Sequence, residues 1–205
     1  GELLATIFIP LVLMSFISLL KDKKYKNWIV LAIGMSLIML SHILSTLIMI
    51  IVLLVVMIMN FNYLKDIKIW INLIISAVAT SLITMMYWLP MIQQQKYIEI
   101  SRPFKAILSD WALDMSDLIN RSLNSNYLLP NIGIVSVIVI LLALINFNRL
   151  KEVDKKNIIV SLMFLWVCTK YFPWQLFQET FFNYIQFPWR FIIVVTLFIS
   201  ILGAE

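Results

Sequence analysis

Three residues at one helix start could hold an anion. The hexapeptide QFPWRF, Gln186 to Phe191, opens the apolar run FIIVVTLFISILG. Pro188 suits the first turn of a helix, where its missing N–H costs nothing. Arg190 does not suit it: a cation at the positive end of the helix dipole loses about 0.3–1 kcal/mol. It therefore calls for an anionic partner. Free backbone N–H groups, the guanidinium fork of Arg190 and the indole N–H of Trp189 together form a phosphate-shaped set, with Gln186 beside it. Two other roles fit the same residues. Arg190 and Trp189 could anchor an interface on headgroup phosphates, or Arg190 could pair with Glu179 or Glu2.

A second polar set surrounds the only histidine, His42. Ser41, Ser45 and Thr46 flank it in SHILST, and Glu2 completes the set as candidate lining of a wet cavity. There His42 could carry a proton or donate a hydrogen bond. The alternative is a turn histidine satisfied by neighbouring hydroxyls and water. One histidine and one distant cysteine, Cys168, cannot supply a metal ligand set, so no metal site is expected. The four glycines form no phosphate loop and the chain has no nucleophile elbow. No catalytic residue can be named and no cofactor is implied. Cys168 lies in an apolar run and reads as a packed, inert thiol. Gln93, Gln94 and Gln95 add a polar triplet.

The elements that position these sets follow from composition. The 205 residues are 62% hydrophobic and 13% charged, with a mean hydropathy of +0.95. Apolar runs approach the ~18 residues of a membrane helix and do not alternate in polarity. The expected class is all-α, a polytopic transmembrane helix bundle with about seven spans, forming a single domain over residues 1–205. The spans are placed near 3–20, 27–42, 44–60, 69–89, 131–146, 157–172 and 187–203. Three basic clusters, KDKKYK from Lys21, LKDIK from Leu64 and RLKEVDKK from Arg149, carry net charges of +3, +1 and +2. By the positive-inside rule they face the cytoplasm, while the N-terminus, residues 90–130 and residues 173–189 face outward. The apolar run from Asn27 to Met59 has basic flanks on both sides, so it must turn, and SHILST is the polar place to do so. Pro90 and the glutamine triplet stop the fourth span. The basic charge thus speaks to topology in a plasma membrane, with lipids as partners, and nucleic acid is not a partner. In the long outer loop, SDWALDMSDLINRSL predicts an amphipathic helix, with Ser109 as its cap and Trp111, Met115, Leu118 and Ile119 on its apolar face. Gly1 in the first position and an apolar run reaching toward Glu205 lead us to expect part of a longer chain.

GELLATIFIPLVL at the start, LSHILSTL, YWLP and IQFPWRF occur in that order. On these segments the chain resembles bacterial membrane proteins carrying a 6-pyruvoyl-tetrahydropterin synthase-related domain. That family in turn looks like distant kin of type-C glycosyltransferases and YfhO-type membrane proteins. The resemblance implies a many-helix protein with an outer-face site for a polyprenyl-phosphate-linked sugar, to which Arg190 contributes. An acidic residue in the first outer loop, upstream of Gly1, would be the base. Pterin synthases bind zinc through three histidines, and with His42 alone that activity is rejected.

Two functions follow as expectations. In one, the protein is a glycosyltransferase at the outer face, with Arg190 and Trp189 holding the donor phosphate and His42 and Gln186 lining the cavity. In the other, it is a non-enzymatic scaffold or lipid-handling protein of envelope assembly, with Arg190 as an anchor.

Overall fold

The computed structural model describes residues 1–22, 25–94, 107–124 and 130–204. Lys23 and Lys24 of the first basic cluster lie outside the described residues. So do Gln95 of the glutamine triplet and Lys96, Glu99, Arg102 and Lys105 of the expected outer loop. The chain divides into two compact units, Gly1–Pro103 and Phe104–Glu205.

The described residues of the first unit form α1 (Glu2–Asp22), α2 (Tyr25–Ser41), α3 (Ile43–Met59), α4 (Ile67–Ile83) and α5 (Met85–Gln94). On α1 the buried residues Ala5, Ile9, Val12, Phe16 and Leu19 recur every three or four positions, the stripe of a helix with one face in the core. That face packs chiefly on α2. Gly34 makes the close approach possible: a Cβ there would come within 2.8 Å of Val12 Cγ2. α3 buries Ser45, Met49, Val52 and Val56 on one face. α4 begins at an Asp66 cap, whose Oδ1 accepts from the Lys68 N–H at 2.8 Å.

The bend between α4 and α5 is 67°. Thr84 at the break donates its hydroxyl back to the Thr80 carbonyl at 2.8 Å, and the Trp88 indole donates to the Ser81 carbonyl at 2.9 Å. The indole thus takes up a carbonyl at the break, while the Thr80 carbonyl also keeps the Thr84 N–H at 3.0 Å. Pro90 does not stop this segment, since it lies inside α5.

The second unit holds α6 (Asp117–Leu123), α7 (Gly133–Ile145), α8 (Glu152–Cys168) and α9 (Ile192–Gly203). α8 packs chiefly on α9, and its buried face runs through Asp154, Ile158, Ser161, Phe164 and Cys168. Phe164 stacks on Phe191 with ring centres 5.5 Å apart. Burial pushes the Cys168 thiol well above the ordinary range. The basic cluster after α7 is not a plain loop. Glu152, Asp154, Lys155 and Lys156 form the first turns of α8, where two acids complement the helix dipole.

The amphipathic helix expected at Ser109–Leu123 is not formed. A 3₁₀ turn at Leu108–Trp111 precedes the short α6, and between them the chain runs through an extended Ala112 and a bridge at Leu113 into a turn at Met115–Ser116. Leu113 pairs there with the segment after α8: its N–H donates to the Cys168 carbonyl at 2.9 Å and its carbonyl accepts from the Lys170 N–H at 3.0 Å. Leu108, Ala112 and Leu113 are all buried. Burial of consecutive residues on both sides of the chain suits a strand-like bridge and defeats a helix with one apolar face. Lys170 adds a 2.8 Å salt bridge to Asp114 across the same bridge.

Seven membrane spans are not found. Among the described residues one helix, α1, is long and apolar enough to cross a membrane, and α4 with α5 would make a second only if that bent pair counted as one span. The remaining apolar helices have 10–17 residues. At 1.5 Å per residue the 17-residue α3 reaches about 26 Å and the 12-residue α9 about 18 Å, short of a ~30 Å hydrocarbon core. The polytopic bundle, the multi-pass placement in a plasma membrane and the assignment of loops to its two sides are corrected accordingly.

Candidate functional site

The Arg190 corner is built on an unusual turn in the second unit. Gln186 has φ 63° and ψ −44°, a left-handed conformation that side chains other than glycine rarely adopt. The Phe187 N–H donates to the Ile185 carbonyl at 2.7 Å, closing a three-residue γ-turn over Gln186. The same carbonyl accepts from Arg190 Nη1, also at 2.7 Å. The guanidinium lies over the Phe187 ring at 4.8 Å and the Trp189 ring at 5.9 Å. Phe187 and Trp189 stack with centres 5.6 Å apart, and Trp111 meets Phe187 edge-on at 4.9 Å. Gln186, Trp189 and Arg190 are thus brought together. One answer to the cation at a helix start is geometric. Arg190 reaches back to a strained carbonyl and rests on two aromatic faces, which attract it through their quadrupoles. Pro188 sits in the 3₁₀ turn Pro188–Phe191 that leads into α9.

The His42 set lies in the first unit. His42 occupies the single-residue break between α2 and α3, with extended backbone, and caps α3. Its Nδ1 accepts from the Ser45 N–H at 3.2 Å and lies 2.8 Å from Ser45 Oγ. Ser41 donates to the Leu37 carbonyl at 2.6 Å, within its own helix. The start of α1 reaches the same end of the unit: a Cβ on Gly1 would come within 2.6 Å of the Ser41 carbonyl oxygen. Ser41, His42, Ser45 and the chain start that carries Glu2 are therefore neighbours. The two candidate sets belong to different units.

One concave feature of the first unit is absent from the sequence expectations. A pocket of about 420 Å³ opens between α1, α2, α3 and α4. Phe16 comes from α1, and Met35 and Met39 come from α2. α3 adds Thr46, Leu53 and Met57, and α4 presents Trp70 and the small residues Ser76, Ala77, Thr80 and Ser81. The volume exists because α4 places short side chains opposite long ones. Among the described residues no Asp, Glu, Lys, Arg or His lines it. Two of its hydroxyls spend their protons on carbonyls: Thr80 donates to Ala32 at 3.3 Å and Ser81 to Ala77 at 2.9 Å. Their oxygens keep lone pairs for an incoming donor. The Trp70 indole N–H is fixed to the Leu64 carbonyl at 2.8 Å, which sets the orientation of its ring. Of the residues singled out from the sequence, Thr46 alone lines this pocket. The signal was present as SAVATS in the fourth apolar run, with small side chains at spacings of one and four that share a helical face.

Among the described residues no group of His, Cys, Asp and Glu could hold a metal ion. Comparison of the chain with known protein families, with curated proteins and with solved structures finds no match. The resemblance to pterin-synthase-related membrane proteins and to type-C glycosyltransferases is therefore corrected: neither a matching family nor a set of spans supports it. The glycosyltransferase activity, the scaffold alternative, and membrane lipids or a polyprenyl-phosphate sugar as partners rested on that resemblance and those spans, and they fall with them.

Proposed function

We propose that the first unit binds a small, neutral, apolar molecule carrying one hydrogen-bond donor in the pocket between α1, α2, α3 and α4. The observation that carries this reading is a concave volume of about 420 Å³ with no charged residue in its wall among the described residues, within the ~300–1,000 Å³ common for ligand sites. Met35, Met39 and Met57 supply flexible, polarisable contacts that adapt to irregular shapes. The committed hydroxyls of Thr80 and Ser81 accept rather than donate, which suits a ligand with an N–H or O–H. An ionised ligand is disfavoured, because nothing charged in the wall would offset its desolvation.

N-phenyl-1-naphthylamine has the required properties: two apolar ring systems, one N–H and no charge. Its fluorescence should rise saturably on titration with the protein, with one site per chain. Ala77→Phe, which places a ring in the pocket, should weaken that binding by about tenfold or more, the cost of a lost apolar site. The sulfonated analogue 1-anilinonaphthalene-8-sulfonate should bind this site more weakly. Unsaturable binding, or equal affinity in the Ala77→Phe protein, overturns the reading.

A further inference from the structure

A second cavity, of about 600 Å³, lies within the second unit and has a different chemistry. Val139, Leu142 and Ala143 of α7 and Leu202 of α9 form its apolar side. The turn after α7 brings Arg149 and Lys151 to the other side, with Asp154 in the first turn of α8. We propose that this cavity binds a small organic anion, a carboxylate or a phosphate monoester on an apolar body.

The charges favour that class. Arg149 and Lys151 outnumber the single acid Asp154, so the lining carries a net charge of +1. Asp154 is buried, and both Asp154 and Lys151 have interactions of their own, so Arg149 is the charge that meets the ligand. The guanidinium of Arg149 takes part in no hydrogen bond or salt bridge among the described residues, and its fork matches two oxygens of a carboxylate or phosphate. Asn146 ties its amide N–H to the Leu142 carbonyl at 3.0 Å, which holds the turn that presents Arg149. The apolar side then takes the body of the ligand. A free inorganic ion would leave that surface unused.

Calorimetric titration of the full chain separates the possibilities. The probes are phenyl phosphate, 3-phenylpropionate and the neutral 3-phenyl-1-propanol. At least one anion should bind saturably and about tenfold or more tightly than the alcohol, as charge-assisted hydrogen bonds require. Preference for phenyl phosphate assigns a phosphate monoester, and preference for 3-phenylpropionate assigns a carboxylate. Arg149→Gln, at an exposed position, should remove about tenfold of the anion affinity and leave the alcohol unchanged. The proposal is overturned if neither anion binds saturably, if the alcohol binds as well as the anions, or if Arg149→Gln leaves anion affinity unchanged.

Discussion

At Gln186, backbone conformation and side-chain chemistry pull in opposite directions. A side chain held at φ 63° costs of order 1–3 kcal/mol. Replacing it by glycine gives the unfolded chain about 0.4–1 kcal/mol of extra freedom. The strain outweighs that freedom, so Gln186→Gly should raise the stability of the protein by about 1 kcal/mol, read as a later midpoint in urea unfolding. An earlier midpoint would show that the turn is not strained. Arg190→Gln should lower stability in both backgrounds, since it removes the donor to the Ile185 carbonyl and the contact with the Phe187 and Trp189 rings. The residues of this corner are legible in the sequence as a cluster. Their arrangement is not, because a positive φ at a glutamine has no sequence signal and the acceptor for Arg190 is a backbone carbonyl.

Among the helices, the pair α1 and α2 is sensitive to the addition of a single carbon. A methyl group on Gly34 would meet Val12, a buried and stiff β-branched residue. Gly34→Ala gains about 1 kcal/mol of helix propensity against about 1–3 kcal/mol of overpacking. The net should be destabilising by thermal unfolding. In a Val12→Ala background the same change should become stabilising, because the clash is gone and the propensity remains. Destabilisation in both backgrounds would refute the close approach as the cause. Other element features differ in how far the sequence shows them. The helix break at His42 is visible beforehand, since SHILST is the polar cluster in a long apolar run and a histidine can cap. The bend at Thr84 is not, because it depends on Thr84 and Trp88 hydrogen-bonding backward across the break. The amphipathic spacing of Trp111, Met115 and Leu118 is real, yet Leu113 is claimed by a pairing more than fifty residues away, which no local pattern encodes.

For the whole chain, composition describes how much is apolar and leaves open where it goes. Read alone, 62% hydrophobic residues announce many membrane spans. In the structure α4 buries Ile69 and Ser76, and α7 buries Ile140 and Ala143. Residues such as Ile74 (60% exposed) and Val135 (75%) point away from the units that contain them. Helix length, set by breaks at His42 and Thr84 and by the turns around α7 and α9, is what restricts the spans. Each unit has its own core, Val12, Leu19, Ile38, Met49 and Val52 in the first and Leu108, Leu113, Ile158, Phe164 and Ile185 in the second. Residues 107–204 expressed alone should therefore keep a helical far-ultraviolet spectrum and a structured aromatic near-ultraviolet signal from Trp174 and its neighbours Phe172, Phe177 and Phe182. A featureless near-ultraviolet spectrum would show that the second core does not form unaided.

The tether from Trp70 to the Leu64 carbonyl has an optical consequence. An indole with a fixed transition dipole forms part of the pocket wall, so a chromophore lodged there sits beside an antenna of set direction. Excitation energy would pass from that indole to an absorbing guest at contact range, and the polarisation of the guest's emission would report the angle at which it lies.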